Sequence, residues 1–236
     1  MNTTIHKCIV IIQARMGSTR LLGKTFMDIN GRPILDYLVE TILTVFPKKS
    51  LIIATSNKPE NDILREYALK KELACYSGDE YNVASRYFEI LKNNRDKEYF
   101  FRMCGDSPYY DTEILRKGLE IIAKDRPDFV TSKPNLGYPL GCNLEVFKTK
   151  VFLENYPFFS EEKHFEHVTS YFYERIENFN YVLVRCPVPG YEYSKYQFSV
   201  DTPEDLERAK KMLELMNYEP CKFSIEEKFK LLTTIN

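Results

Sequence analysis

Five consecutive apolar residues, Cys8-Ile9-Val10-Ile11-Ile12, stand near the amino terminus with no polar residue between them. A strand with one wet face alternates, so an unbroken run of this length predicts a strand covered on both faces, over residues 7–14. Covering both faces takes helices on either side of a largely parallel sheet. The chain supplies the alternation that such a sheet needs: a helix over 33–46, a strand over 50–55, a helix over 60–73, a short strand over 74–76, a helix over 81–92, a strand over 99–104 and a helix over 111–124.

The rhythm changes after Asp128. Strands are expected over 129–132 and 144–147, separated by a stretch rich in proline and glycine, so residues 134–147 read as a small lid inserted into the sheet. A helix over 164–176, strands over 181–186 and 197–200, and a helix from Pro203 follow. Thr202 caps that last helix, Pro203 suits its first position, and Asp205 completes a capping box. Leu206, Ala209, Leu213 and Met216 share its apolar face. In the tail, 218–236, helical pattern is confined to 224–232. The expectation is one α/β domain spanning 1–236, Rossmann-like, with a mixed, mostly parallel sheet flanked by helices.

Lys and Arg number 33 against 34 Asp and Glu, so the formal charge is −1 and no global field favours nucleic acid or an anionic membrane as partner. Any anion must be held by a local site. The six cysteines show no metal-binding spacing and read as reduced packing residues, most of them within strands. The amino-terminal apolar run is too short for a signal peptide or a membrane span, and a cytoplasmic location is expected.

The first strand runs directly into Arg15-Met16-Gly17-Ser18-Thr19-Arg20-Leu21-Leu22-Gly23-Lys24-Thr25. A glycine, hydroxyls and cations at the carboxyl end of a buried strand lie where open α/β sheets bind ligands. Backbone N–H groups around Gly17 would cradle phosphate oxygens, with Arg15, Arg20 and Lys24 neutralising charge. Gly23-Lys24-Thr25 ends like a P-loop, but five residues rather than four separate Gly17 from Gly23. The turn Asn30-Gly31 and Pro33 also delay the next helix, which leaves Lys24 on an extended arm able to reach back over a ligand.

Residues 12–24, IQARMGSTRLLGK, resemble the loops of a cytidylyltransferase family that includes CMP-KDO synthetase (IPARxGSTRLPGK) and, more closely, the spore-coat polysaccharide biosynthesis protein F group (IQARMGSTRLPGK). Leu22 replaces the family's proline, which loosens the arm without removing a ligand group. The resemblance implies the nucleotide-diphospho-sugar transferase type of sheet, a homodimer, and binding of CTP by Gln13, Ala14, Arg15, Met16, Gly17, Ser18, Thr19, Arg20 and Lys24. Arg15 and Lys24 are among the implied catalytic groups.

Two carboxylates follow predicted strand ends. Asp106 stands in Arg102-Met103-Cys104-Gly105-Asp106-Ser107-Pro108, similar to the family's R-x-x-GD-x-P, and Asp201 stands in Val200-Asp201-Thr202-Pro203-Glu204-Asp205-Leu206, similar to its VDTPEDL. The resemblance makes this pair the Mg²⁺ ligands and catalytic residues of a nucleotidyl transfer, the ion neutralising charge on the α-phosphate and the departing pyrophosphate. Ser77, Arg86 and Arg102 form a second tier of nucleotide contacts; Arg86, in a segment similar to D-D-V-L-D-R-Y, reads equally as a solvated helix residue.

Residues 138–147 are similar to the family's lid, YPDGLDVEVF, with Leu140 and Asn143 at acidic positions. Losing two negative charges changes which acceptor fits. Tyr138, Asn143 and Glu145 are the expected acceptor contacts there. Glu166 and His167 join them from Glu166-His167-Val168-Thr169, which matches the family's EHVT. His6 and His164 receive no role. Tyr191, Tyr193, Lys195 and Tyr196 read as a pocket wall or a dimer edge.

The expected activity is transfer of CMP from CTP to a sugar acid, sugar phosphate or polyol phosphate, in surface polysaccharide or glycoconjugate synthesis. A nucleotide-sugar-dependent glycosyltransferase is the rival on a related sheet, but no acidic triplet follows a buried strand. A catalytically silent nucleotide-binding subunit is the other rival, consistent with Leu22 and the altered lid.

Overall fold

The run Cys8–Gln13 (β1) is an interior strand of a seven-stranded sheet, and Cys8 through Ile12 expose no more than 2% of their surface. The computed structural model describes residues 2–18, 20–132, 138–188 and 196–235. The other strands are β2 (Asp28–Ile29), β3 (Arg32–Pro33), β4 (Leu51–Ser56), β5 (Ala74–Gly78), β6 (Tyr99–Cys104), β7 (Phe129–Thr131), β8 (Glu145–Lys148) and β9 (Tyr181–Leu183). The sheet order is β5-β4-β1-β6-β8-β7-β9, with only β8 antiparallel to its neighbours. β2 and β3 form a separate small hairpin, closed by the expected turn with Asn30 and Gly31 both at positive φ.

Alternate residues of β1 serve two apolar layers. Cys8, Val10 and Ile12 face one core, built with α2 (Ile34–Leu43), α3 (Asp62–Lys71), α5 (Thr112–Asp125), α9 (Pro203–Leu215) and α10 (Ile225–Ile235). Ile9 and Ile11 face the other, built with α4 (Val83–Lys92), α6 (Thr149–Asn155) and α8 (Ser170–Tyr173). Helices α1 (Asn2–His6) and α7 (Glu162–His167) complete the set. No described helix is long and apolar enough to cross a membrane.

From β1 the chain builds outward through β4 and β5, then returns to lay β6 on the other flank of β1. That reversal opens a crevice at the carboxyl ends of β1 and β6, where Gln13 pairs in register with Cys104. The Gln13–Lys24 loop and Asp106 emerge there.

Several expectations need correction. The helix expected over 164–176 is two pieces, because Val168 sits at φ 56° and breaks it. The break turns Thr169 so that its hydroxyl donates to Glu145. Residues 197–200 form no ladder beyond a bridge between Leu140 and Gln197; the N–H groups of Phe198 and Ser199 donate to the Leu140 carbonyl, and that of Val200 to Asp106. Lys24 is not on an extended arm but opens a 3-10 turn, Lys24–Phe26, after left-handed Gly23. Cys8 and Cys142 are buried and none of the six cysteines forms a disulfide, but Cys75 is exposed on edge strand β5, and Cys142, Cys186 and Cys221 lie outside the strands.

The capping box of α9 forms as expected, with the Thr202 hydroxyl accepting from the Asp205 N–H and the Asp205 carboxylate accepting from the Thr202 N–H.

Candidate active site

The loop after β1 is pinned at Met16. Its N–H donates to Asn61 Oδ1 at 2.8 Å, and its carbonyl accepts from the N–H groups of Ser18 and Gly23, each at 3.0 Å. These bonds bring Met16 and Gly23 together at the two ends of the loop, with Gly23 at φ 69°, a conformation that suits glycine. Gln13, Ala14, Arg15, Ser18, Arg20 and Lys24 line a cavity of about 290 Å³, together with Arg86, Arg102, Asp106, Glu166 and His167. Thr19 and lid residues 134–137 lie outside the described residues, as do Tyr191, Tyr193 and Lys195; Tyr196 packs edge-on against Phe229.

Lys24 is the pivot. Its ammonium lies 2.5 Å from Asp106 Oδ2 and 2.7 Å from Asp201 Oδ1, so the two aspartates, 95 residues apart in the chain, converge on one positive charge. Burial alone would lower the Lys24 pKa, but the Asp106 and Asp201 carboxylates hold it above the ordinary lysine value. Arg20 reaches the same Asp201 oxygen at 2.8 Å from an exposed position. The other Asp201 oxygen accepts from the Gln197 amide at 2.8 Å.

On the far side of this carboxylate pair lies a second cavity of about 270 Å³, lined by Ser107, Tyr110, Leu140, Asn143, Glu145 and Ser199. It shares Arg20, Lys24, Arg102, Cys104 and Asp106 with the first, so the two chambers meet at Lys24 and Asp106, with Asp201 on the lid side. The lid is held over it by Gly141, which lies at φ 95° with the backbone of Phe198 and Ser199 against the place where a Cβ would project.

Not every expected residue arrives. The Ser77 hydroxyl faces Arg65, 3.3 Å away, and lines neither chamber. Tyr138 is buried in the core and borders a separate cavity with Asp111 and Val184. Glu166 and His167 sit in the loop-side chamber with Arg15, not with Asn143 and Glu145, because the break at Val168 sends α7 toward the loop. Arg86 is no solvated residue; it is 1% exposed and donates to the carbonyls of Asp79 and Glu80 at 2.7 and 2.8 Å.

Arg102 and Glu145, expected on nucleotide and acceptor respectively, are each other's partner in a buried ion pair. Glu145 also accepts from Thr169 at 2.8 Å and Tyr173 at 2.7 Å, and Arg102 donates to Gln13 at 3.2 Å. Although burial opposes its charge, the Glu145 carboxylate holds the Arg102 pKa above the ordinary arginine value. Arg102 lines both chambers and Glu145 the lid-side one, so the pair forms a wall where the two meet. Sequence reasoning missed Arg65, Gln197 and Glu80, whose roles depend on contacts from other elements rather than on any local pattern.

A third carboxylate and imidazole group lies away from this crevice. His164 is fully buried; its Nδ1 accepts from the backbone N–H groups of Ser160 and Glu161, so Nε2 carries the proton and donates to Glu174 at 2.9 Å. Neither nitrogen offers a lone pair to a metal, and His164 closes the capping box of α7 by accepting from the backbone of its N-cap, Glu161.

A family model described as cytidylyltransferase matches residues 9–229. The chain belongs to the cytidylyltransferase family. Among relatives of this cytidylyltransferase, the spore coat polysaccharide biosynthesis protein SpsF of Bacillus subtilis is 29% identical over 221 residues, covering 92% of this chain and 90% of that protein. A solved cytidylyltransferase of Leptospira borgpetersenii superposes with a TM-score of 0.85 at 24% identity, covering 97% of this chain and 93% of the other. A CMP:2-keto-3-deoxy-manno-octonic acid synthetase, solved with CTP, gives a TM-score of 0.61 at 18% identity, covering 90% and 99%. These likenesses bear out the mixed α/β sheet of the nucleotide-diphospho-sugar transferase type.

Proposed function

We propose that this cytidylyltransferase moves CMP from CTP to a sugar acid, sugar phosphate or polyol phosphate, releasing pyrophosphate, with Mg²⁺ held by Asp106 and Asp201. The observation that carries the reading is the convergence of both aspartates on Lys24 at the junction of two chambers, one floored by the cation-rich loop and the other by the lid. Two carboxylates gathered on one positive charge are the oxygen donors a hard divalent ion takes. When bound, that ion supplies charge neutralisation on the α-phosphate and the leaving pyrophosphate.

The chain's own groups do the positioning. Backbone N–H groups of the loop and the cations Arg15, Arg20 and Lys24 bind the triphosphate. The wall of Arg102 and Glu145 separates phosphates from acceptor and keeps the acceptor hydroxyl aimed across the Asp106–Asp201 junction. An acceptor oxygen, giving up its proton to solvent if it is a hydroxyl, then attacks the α-phosphorus while the bond to the α–β bridging oxygen breaks, giving the CMP-linked acceptor and pyrophosphate. The CTP-bound synthetase and SpsF support CTP as donor and a polysaccharide precursor as destination. In the same reading the protein works as a homodimer in the cytoplasm.

Pyrophosphate release, measured with each of the four nucleotides against a panel of sugar acids, sugar phosphates and polyol phosphates, tests the proposal. Turnover is expected only with CTP and only with Mg²⁺. CTP binding without chemistry across the panel would favour a silent binding subunit, and transfer from a nucleotide sugar would favour a glycosyltransferase.

A further inference from the structure

Glu80, a residue with no part in the motifs above, has a buried charge that its neighbours satisfy only in part. Its side chain is one-tenth exposed. One carboxylate oxygen, Oε1, meets Arg15 at 3.3 Å, while Oε2 is buried without a hydrogen-bond partner. Its place is set from below by Arg86, which anchors the carbonyls of Asp79 and Glu80, and from above by Gly17, where an added Cβ would lie 3.3 Å from Oε1.

Glu80 borders a cavity of about 890 Å³ at the carboxyl ends of β4 and β5, also lined by Arg15, Gly17, Tyr81, Phe165 and Glu166. Arg15 and Glu166 belong to the loop-side chamber as well, so the two spaces are continuous. Tyr81 is 77% exposed and offers an aromatic face of the kind on which a nucleobase stacks. A nucleotide with its phosphates on the loop therefore places its base beside Glu80.

Arg15 is the only side chain among the described residues that donates a hydrogen bond to the Glu80 carboxylate, and it is a group the phosphates would draw away. Once its guanidinium turns to phosphate, the buried Glu80 carboxylate keeps the nearby Arg86 charge but has no side-chain donor to either oxygen. A buried carboxylate accepts hydrogen bonds and cannot donate them. Cytosine presents an amino donor at its 4-position, whereas uracil presents a carbonyl oxygen there, which a carboxylate repels.

We infer that Glu80 reads the base: its carboxylate accepts from the cytosine 4-amino group and rejects uracil. The inference rests on the nucleotide site proposed above and assigns its specificity to one side chain. Calorimetric titration of the full chain with CTP, UTP and N4,N4-dimethyl-CTP, without metal or acceptor, tests it. A site built to hydrogen-bond a donor rejects analogues lacking it, so wild-type protein should bind CTP on the order of 10- to 100-fold tighter than the other two. Glu80→Gln, whose amide donates to the uracil oxygen, should bring CTP and UTP to within about threefold.

Equal binding of CTP and the dimethyl analogue by the wild type overturns the inference whatever the variant does. So does an unchanged CTP to UTP ratio in Glu80→Gln with both affinities reduced, which would make Glu80 only a support for Arg15. Binding of no nucleotide by the wild type would remove the parent reading as well.

Discussion

Replacing Glu145 with glutamine tests whether the wall between the chambers is structural. Arg102 and Glu145 have side chains only 8% and 3% exposed, so neither charge is solvated once its partner goes. Removing one member of such a pair costs about 3–5 kcal/mol, since the other remains buried and uncompensated. Glutamine is isosteric, and its amide oxygen still accepts from Thr169 and Tyr173, which puts the loss near the low end, about 3 kcal/mol. For a chain of this size that corresponds to roughly 6–12 °C in melting temperature.

Urea denaturation followed by far-ultraviolet circular dichroism measures the loss. The double variant Arg102→Met with Glu145→Met should lose less than Glu145→Gln alone, because it leaves no orphaned charge. A Glu145→Gln protein within about 1 kcal/mol of wild type would refute the argument. If the Michaelis constant for acceptor rose while stability held, Glu145 would be the acceptor ligand that its place in the lid motif suggested.

Three further outcomes follow from particular contacts. Lys24→Met removes the cation between Asp106 and Asp201, so Mn²⁺ affinity, read by electron paramagnetic resonance, should rise about tenfold or more while turnover falls; weaker metal binding would place the metal elsewhere. Gly141→Ala would put a Cβ 2.5 Å from the Ser199 nitrogen at φ 95°, so thermal unfolding should show a loss of about 1–3 kcal/mol, and a neutral result would mean the lid backbone is free to shift. Glu174, held at a pKa of about 2 by hydrogen bonds first from Lys163 and then from His164, stabilises the fold above the ordinary carboxylate range; that contribution is lost as pH falls from about 4.5 towards 2, so Glu174→Gln should flatten the acid limb of the stability profile between those values.

Residues whose neighbours in the chain decide their environment were legible in the amino-acid order alone. The run from Cys8 to Ile12 could only be covered on both faces, and Thr202-Pro203 with Asp205 could only begin a helix, because periodicity and capping act over a few residues. The loop that follows that strand was placed for the same reason, though its bend, tied to Asn61 from another element, was not. The place of Asp106 after a strand end was legible too.

The assembly of distant groups was not. That Lys24 would lie between Asp106 and Asp201, that Arg102 would spend its charge on Glu145 rather than on phosphate, and that Glu166 and His167 would face the loop rather than the lid depend on where β6, β8 and α7 sit in space. The break at Val168 is a case in point: four residues from Glu166 to Thr169 carry helical pattern, yet the buried Glu145 carboxylate takes the Thr169 hydroxyl and the chain turns out of the helix to supply it. The amino-acid sequence by itself determined the buried first strand, the loop it feeds and the two aspartates; only tertiary structure decided which charges meet, because electrostatic partners are chosen by distance in space and desolvation by burial, neither of which is written in the spacing of residues.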